Sequence, residues 1–167
     1  MTSIALASEG KRTEIELWPK EVPGPEPQLE GEKDMTKETE DKIAGRRLIR
    51  LGNVSRPSIA VFQAPKDNAN GAAVLVCPGG GYHILAMDLE GTEVCERLNE
   101  MGFTAVLLKY RVPRRANREK HDAPLQDAQR AMGLIRQNAA EWGIDPKRIG
   151  VLGFSAGGHL AAVVSNG

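Results

Sequence analysis

Cysteine, net charge and long apolar runs are all in short supply in this 167-residue chain, and each shortage removes a class of protein. Only Cys77 and Cys95 are present, one at a strand end and one in a helix by the patterns below. A disulfide framework is therefore excluded as the source of stability, and both read as buried thiols. The 22 basic and 22 acidic side chains cancel and are interspersed, which leaves no large field for nucleic acid or an anionic membrane and favours a small neutral substrate. No apolar run reaches the roughly 18 residues of a membrane span. Ile4-Ala5-Leu6-Ala7 is too short for a signal peptide and lacks the preceding positive charge, so localisation stays open between cytoplasm and export. No metal or cofactor is expected.

What is present is organised around Arg148-Ile149-Gly150-Val151-Leu152-Gly153-Phe154-Ser155-Ala156-Gly157-Gly158-His159-Leu160. Ile149 to Phe154 is a short apolar run without a helical stripe, and Ala156 to Val164 is small and helix-compatible. Gly153, Ser155 and Gly157 fill G-x-S-x-G between them, the pattern of a nucleophile elbow: a sharp strand-to-helix turn presents the hydroxyl, and small flanking residues let strand and helix pass closely.

The rest of the chain reads in order. Residues 1–45, with Pro19, Pro23, Pro25 and Pro27 and then a charged run from Glu30 to Lys42, predict an extended, partly disordered lead-in, pinned at one end by Leu17-Trp18-Pro19. The folded unit spans 46–167. Arg46 to Gln63 predicts two strands and a turn, an opening antiparallel hairpin. Ala72 to Cys77 predicts a strand buried on both faces, ending in Pro78-Gly79-Gly80-Gly81-Tyr82. Val94, Leu98 and Met101 mark the buried face of a helix from about Glu90, closed by Gly102. Thr104 to Tyr110 predicts the next strand. After a basic loop, Leu125, Ala128, Met132, Ile135, Ala139 and Trp142 predict a long amphipathic helix with Pro124 at its start and Gly143 past its end. Strands alternating with helices predict an α/β fold, a mostly parallel sheet with helices on both faces.

Alone, three glycines suit a phosphate-binding or merely tight turn. Beside the strand that feeds Ser155, they suit acyl transfer: the serine attacks a carbonyl while the N–H groups of Gly80, Gly81 and Ala156 hold the oxygen as it becomes negative. Tyr82 and His83 then adjoin the substrate, Tyr82 with the competing reading of a surface aromatic. Asp127 and Arg111 read as a buried or half-buried pair bracing a loop. His159, one helical turn beyond the serine, reads as a packing or hydrogen-bonding histidine, and His121 lies on a polar loop before a helix.

Four segments, in order and spacing, carry a family likeness over roughly the last 95 residues: Pro78-Gly79-Gly80-Gly81-Tyr82, Lys109-Tyr110-Arg111-Val112-Pro113, Ala123-Pro124-Leu125-Gln126-Asp127-Ala128-Gln129-Arg130-Ala131 and Gly153-Phe154-Ser155-Ala156-Gly157-Gly158-His159. On them the chain resembles the α/β-hydrolase superfamily, in the esterase branch related to acetyl xylan and feruloyl esterases and, more distantly, hormone-sensitive-lipase-like esterases. Pro78 stands where the lipase-like relatives carry the histidine of H-G-G-G; the acetyl-xylan-like branch is similar to this chain there. The resemblance implies a serine carboxylic-ester hydrolase forming an acyl-enzyme on acetylated or feruloylated polysaccharide or small esters, with Ser155 as nucleophile and the glycine loop as oxyanion hole. A serine peptidase or amidase of the same superfamily, or a non-catalytic hydrolase-like binding protein, are the rival readings. The superfamily triad runs serine, then acid, then histidine along the chain, and no acid follows Ser155 here. The expectation is an amino-terminal half of the domain, an incomplete α/β-hydrolase fold, inactive by itself and prone to self-association through an open sheet edge.

Overall fold

Two uninterrupted apolar runs, around Leu75 and Val106, become two of the three inner strands of a five-stranded sheet. The computed structural model describes residues 12–40 and 42–166; Ile4 to Ala7 lies outside the described residues. In chain order the elements are β1 (Arg12–Glu16), β2 (Lys33–Asp34), β3 (Arg50–Gly52), β4 (Ser58–Phe62), β5 (Ala73–Cys77), β6 (Leu85–Ala86), a π-helical turn (Asp88–Thr92), α1 (Glu93–Glu100), β7 (Thr104–Lys109), α2 (Asp122–Gln137), β8 (Ile149–Gly153) and α3 (Ala156–Ser165). The main sheet has the order β1-β4-β7-β5-β8, and β2-β3-β6 form a small second sheet. β5 runs parallel to both β7 and β8, while β4 and β1 add antiparallel.

The period-two alternation of the strands sorts side chains to two faces. Ile59, Val61, Leu75, Cys77, Val106 and Leu108 pack with Ala128, Ile135 and Leu160 of α2 and α3. Their neighbours Ala60, Phe62, Val76, Ala105 and Leu107 pack on the other face with Cys95 of α1. Each large side chain so buried contributes about 1.5–3 kcal/mol, and helices therefore cover both faces. No helix among the described residues is long and apolar enough to cross a membrane.

Four expectations change. The antiparallel opening is made by β1 against β4, with Arg12 opposite Phe62 and Glu16 opposite Ser58, and not by a hairpin within 46–63. Both edges of β4 are taken, by β1 and β7, so β3 pairs with β2 and β6 instead. The lead-in also contributes more than an extended arm: it supplies β1 and β2, and Leu17 is 0% exposed. Met101 is 56% exposed, because α1 stops at Glu100 and the Gly102 turn, at φ +88°, swings the chain away. Cys95 takes the buried place. Finally, α2 ends at Gln137, and residues 138–143 are turns. There the Asn138 side chain and the Asn138 amide both donate to the Leu134 carbonyl, at 2.8 and 3.0 Å, and close the last helical turn.

The Arg111–Asp127 pair is wholly buried, at 0% exposure for both side chains. Asp127 accepts from Arg111 Nε (3.0 Å), the Arg111 amide (2.9 Å) and Trp18 Nε1 (2.9 Å). The remaining guanidinium N–H groups donate to Pro23 O, Glu26 Oε1, Ala123 O and Gln126 Oε1 at 3.0–3.2 Å. Burial pushes the Asp127 carboxyl above its ordinary value, against the downward pull of Arg111 and Trp18. One guanidinium thus ties the lead-in and α2 to the loop after β7.

Candidate active site

At the end of β8 the backbone takes a conformation that few residues other than glycine adopt: Ser155 has φ +50° and ψ −116°. Such a residue costs on the order of 1–3 kcal/mol and persists only where its surroundings leave no alternative. Here they leave none. A Cβ on Gly153 would overlap the Gly157 carbonyl, and one on Gly157 would overlap Cys77 O. Strand and helix therefore lie in backbone contact on both sides of the serine. Phe154 N–H donates to Cys77 O at 3.2 Å and Gly157 N–H to Phe154 O at 2.8 Å, closing the corner. Ser155 is exposed, and its hydroxyl has no hydrogen-bond partner among the described residues.

The register Cys77 opposite Gly153 brings the glycine loop to the same end of the sheet. The crossovers diverge at β5: α1 packs on one face of the sheet and α2 on the other, the place where open α/β sheets bind ligands. A Cβ built on Gly79 would lie 2.6 Å from Phe154 O and 3.1 Å from Ser155 Cβ, so the loop touches the serine corner. Gly80, at φ +140°, turns so tightly that a side chain would overlap Ile84 O. Its carbonyl accepts from His83 N–H (3.0 Å) and Ile84 N–H (3.2 Å), while Gly79 O accepts from Ala86 N–H (3.0 Å). Among the described residues the amides of Gly80 and Gly81 donate to no protein acceptor. Ala156 is the first residue of α3, where N–H groups lack intrahelical partners.

Tyr82 is 1% exposed, which removes the surface-aromatic reading. Its ring packs 6.2 Å from that of Tyr110, and its hydroxyl meets His159 Nδ1 at 2.9 Å. The side chain is thus sealed between Tyr110 and His159. Burial pushes its hydroxyl up to about 12. The Tyr110 hydroxyl, raised far above its ordinary value by burial, donates to Pro78 O and holds the start of the loop. Cys77 is likewise pushed up to about 12 by burial, an unreactive thiol. His83 is exposed beside the loop. His159 is a hydrogen-bonding residue, as its spacing suggested, and the His121 ring meets it edge-on with centroids 5.2 Å apart. The contact that sequence reasoning missed is Glu90, whose carboxylate accepts the Gly79 amide at 2.8 Å. Cavities of about 390 Å³ beside Trp18 and Arg56 and about 450 Å³ beside Met132 and Val151 open elsewhere, and Ser155 lines neither. Among the described residues no group of three His, Cys, Asp or Glu side chains is placed to hold a metal.

Comparison with known proteins agrees on where this arrangement belongs. The BD-FAE family model matches residues 59–166. The acetylxylan esterase of Xylanibacter ruminicola is 35% identical over 99 residues, covering 59% of this chain and 20% of that protein. Carboxylesterase NlhH of Mycobacterium tuberculosis is 31% identical over 121 residues, covering 71% of this chain and 36% of that protein. Among solved structures, an acetyl ester-xyloside bifunctional hydrolase from Caldicellulosiruptor lactoaceticus superposes with a TM-score of 0.65 at 32% identity, covering 95% of this chain and 48% of that one. The chain thus spans less than half the length of each of these relatives. With the serine corner, the glycine loop and the inner strands all inside the matched span, the chain belongs to the BD-FAE family, α/β-hydrolases of the esterase kind.

Proposed function

We propose that this chain carries the nucleophile and the oxyanion donors of a serine carboxylic-ester hydrolase that works through an acyl-enzyme. The observation that carries the reading is the contact between the glycine loop and a serine held in a left-handed turn at one end of the sheet. In this reading the strand-to-helix corner is a nucleophile elbow. Ser155 Oγ attacks the ester carbonyl; the N–H groups of Gly80, Gly81 and Ala156 stabilise the tetrahedral oxyanion, each donor worth about 10² to 10³ in rate. His83 lies on the rim, available to the alcohol portion of the substrate. Acetylated or feruloylated polysaccharide and small acetate esters are the substrates proposed, since the relatives include an acetylxylan esterase and an acetyl ester-xyloside hydrolase.

Within these 167 residues the only titratable side chain after Ser155 is His159, and its Nδ1 is engaged by Tyr82. Since the chain spans less than half the length of the relatives it matches, we propose that the acid and base lie in the part of such a protein outside these residues, and expect the 167 residues alone to be without turnover. The test is a fluorophosphonate probe on the catalytically complete protein: stoichiometric modification of Ser155 is expected, and an unmodified serine in a folded protein would leave a binding role as the better account.

β8 pairs only with β5 among the described residues, and Leu152 on it is 37% exposed. An apolar strand with one unpaired edge is a template for a second strand, so we expect the 167-residue chain to self-associate. Sedimentation velocity checks this, and a single monomeric species at tens of micromolar would contradict it.

A further inference from the structure

Gly79, unlike Gly80 and Gly81, has both backbone groups committed: its carbonyl accepts the Ala86 amide and its N–H donates to Glu90 Oε2 at 2.8 Å. Glu90 belongs to the π-helical turn Asp88–Thr92 that leads into α1. A single wide turn of this kind departs from α-helical spacing and recurs at sites where one group has to be aimed. The turn sits directly on the sheet, because Gly91 beside Glu90 is buried and a Cβ there would lie 3.1 Å from Leu107 Cδ1. That seating lets the carboxylate reach the carboxyl end of β5. A carbon built on Gly79 would lie 2.7 Å from Glu90 Oε2 and 3.1 Å from Ser155 Cβ, so carboxylate, loop and serine share one neighbourhood.

We propose that Glu90 is a positioning residue for the esterase site: by holding the Gly79 amide it fixes the peptide from which Gly80 and Gly81 turn, and so aims their N–H groups at an ester oxygen beside Ser155. The inference rests on the role given above to Ser155 and its loop. Geometry, not charge, is what Glu90 supplies, since a carboxylate so close to a forming oxyanion repels it. A neutral acceptor of the same reach does the same work.

The test uses the catalytically complete protein and p-nitrophenyl acetate. Glu90→Ala, and Glu90→Met with similar length but no good acceptor, are expected to lower kcat about 10- to 100-fold, less than the loss of a whole oxyanion donor. KM should stay within about threefold, because an interaction made in the transition state is what is lost. Glu90→Gln keeps an acceptor oxygen and is expected to recover kcat to within about threefold of the parent. Asp88→Ala is the control: on the same turn, the Asp88 carboxylate accepts the Leu89 amide at 2.9 Å and the Ile49 amide, just before β3, at 3.0 Å, so its loss lowers the melting temperature and leaves kcat in place. A folded Glu90→Met protein with full kcat overturns the inference, as does a Glu90→Gln protein as impaired as Glu90→Ala. A parent protein that turns over no ester overturns the esterase reading itself and the inference with it.

Discussion

Replacing Ser155 by alanine in the catalytically complete protein is expected to lower kcat for a small acetate ester by about 10⁴ to 10⁶, the loss that removal of a triad nucleophile typically brings. The amides of Gly80, Gly81 and Ala156 remain in such a variant, so the residual rate above water measures what they contribute without a nucleophile. Ser155→Gly separates chemistry from conformation. Glycine accepts φ +50° without the penalty that serine bears at this corner. The glycine variant should therefore lose the same activity and gain about 1 kcal/mol of stability, the strain released less the chain entropy that glycine adds. Parallel kcat and urea-unfolding measurements check both. An alanine variant with activity within tenfold of the parent would place the nucleophile elsewhere.

Asp127→Ala is expected to destabilise the protein by about 3–5 kcal/mol, because it takes from a buried guanidinium its one wholly buried carboxylate and leaves it only the part-exposed Glu26. Arg111 is 0% exposed, with Glu26 as its remaining carboxylate partner. The same change strands the Trp18 indole N–H, now donating to Asp127 at 2.9 Å. The lead-in should loosen together with α2, since Arg111 holds Pro23 and Glu26 on one side and Ala123 and Gln126 on the other. Removing the whole pair as Arg111→Met with Asp127→Leu should cost less than Asp127→Ala alone, since no orphaned charge remains. Denaturant midpoints for the three proteins check the order. A loss under about 1 kcal/mol for Asp127→Ala would mean that Glu26 and the backbone carbonyls satisfy the guanidinium by themselves.

The sequence was legible where composition and burial coincide. β5 and β7 announce themselves because strands covered on both faces need apolar residues at nearly every position, and β8 is read from the short apolar run leading into Ser155 although Gly150 and Leu152 on it are exposed. Ser155 announces itself because backbone contact on both sides admits only glycine at 153 and 157. The Arg111–Asp127 pair could be read because charged residues at those places in an apolar pattern need each other. β1 could not be read: Arg12 to Glu16 carries one apolar residue, and its strand form comes from the free edge of β4. The 46–63 hairpin failed because nearness in sequence was taken for pairing, when both edges of β4 go to distant segments. Trp142 keeps the period of α2 although the helix has ended, since a turn can also present an apolar ring to the core. Glu90 stayed hidden because its link to Gly79 depends on a π-helical turn that no periodicity reveals.

Cys77 and Cys95 face opposite layers of the same sheet, both sealed from solvent. They cannot join without tearing the sheet apart, and each answers to an alkylating reagent only when its own layer lifts. The molecule thus carries two internal clocks: modification of Cys95 alone records α1 peeling away, and modification of Cys77 alone records the layer of α2 and α3 opening behind the serine.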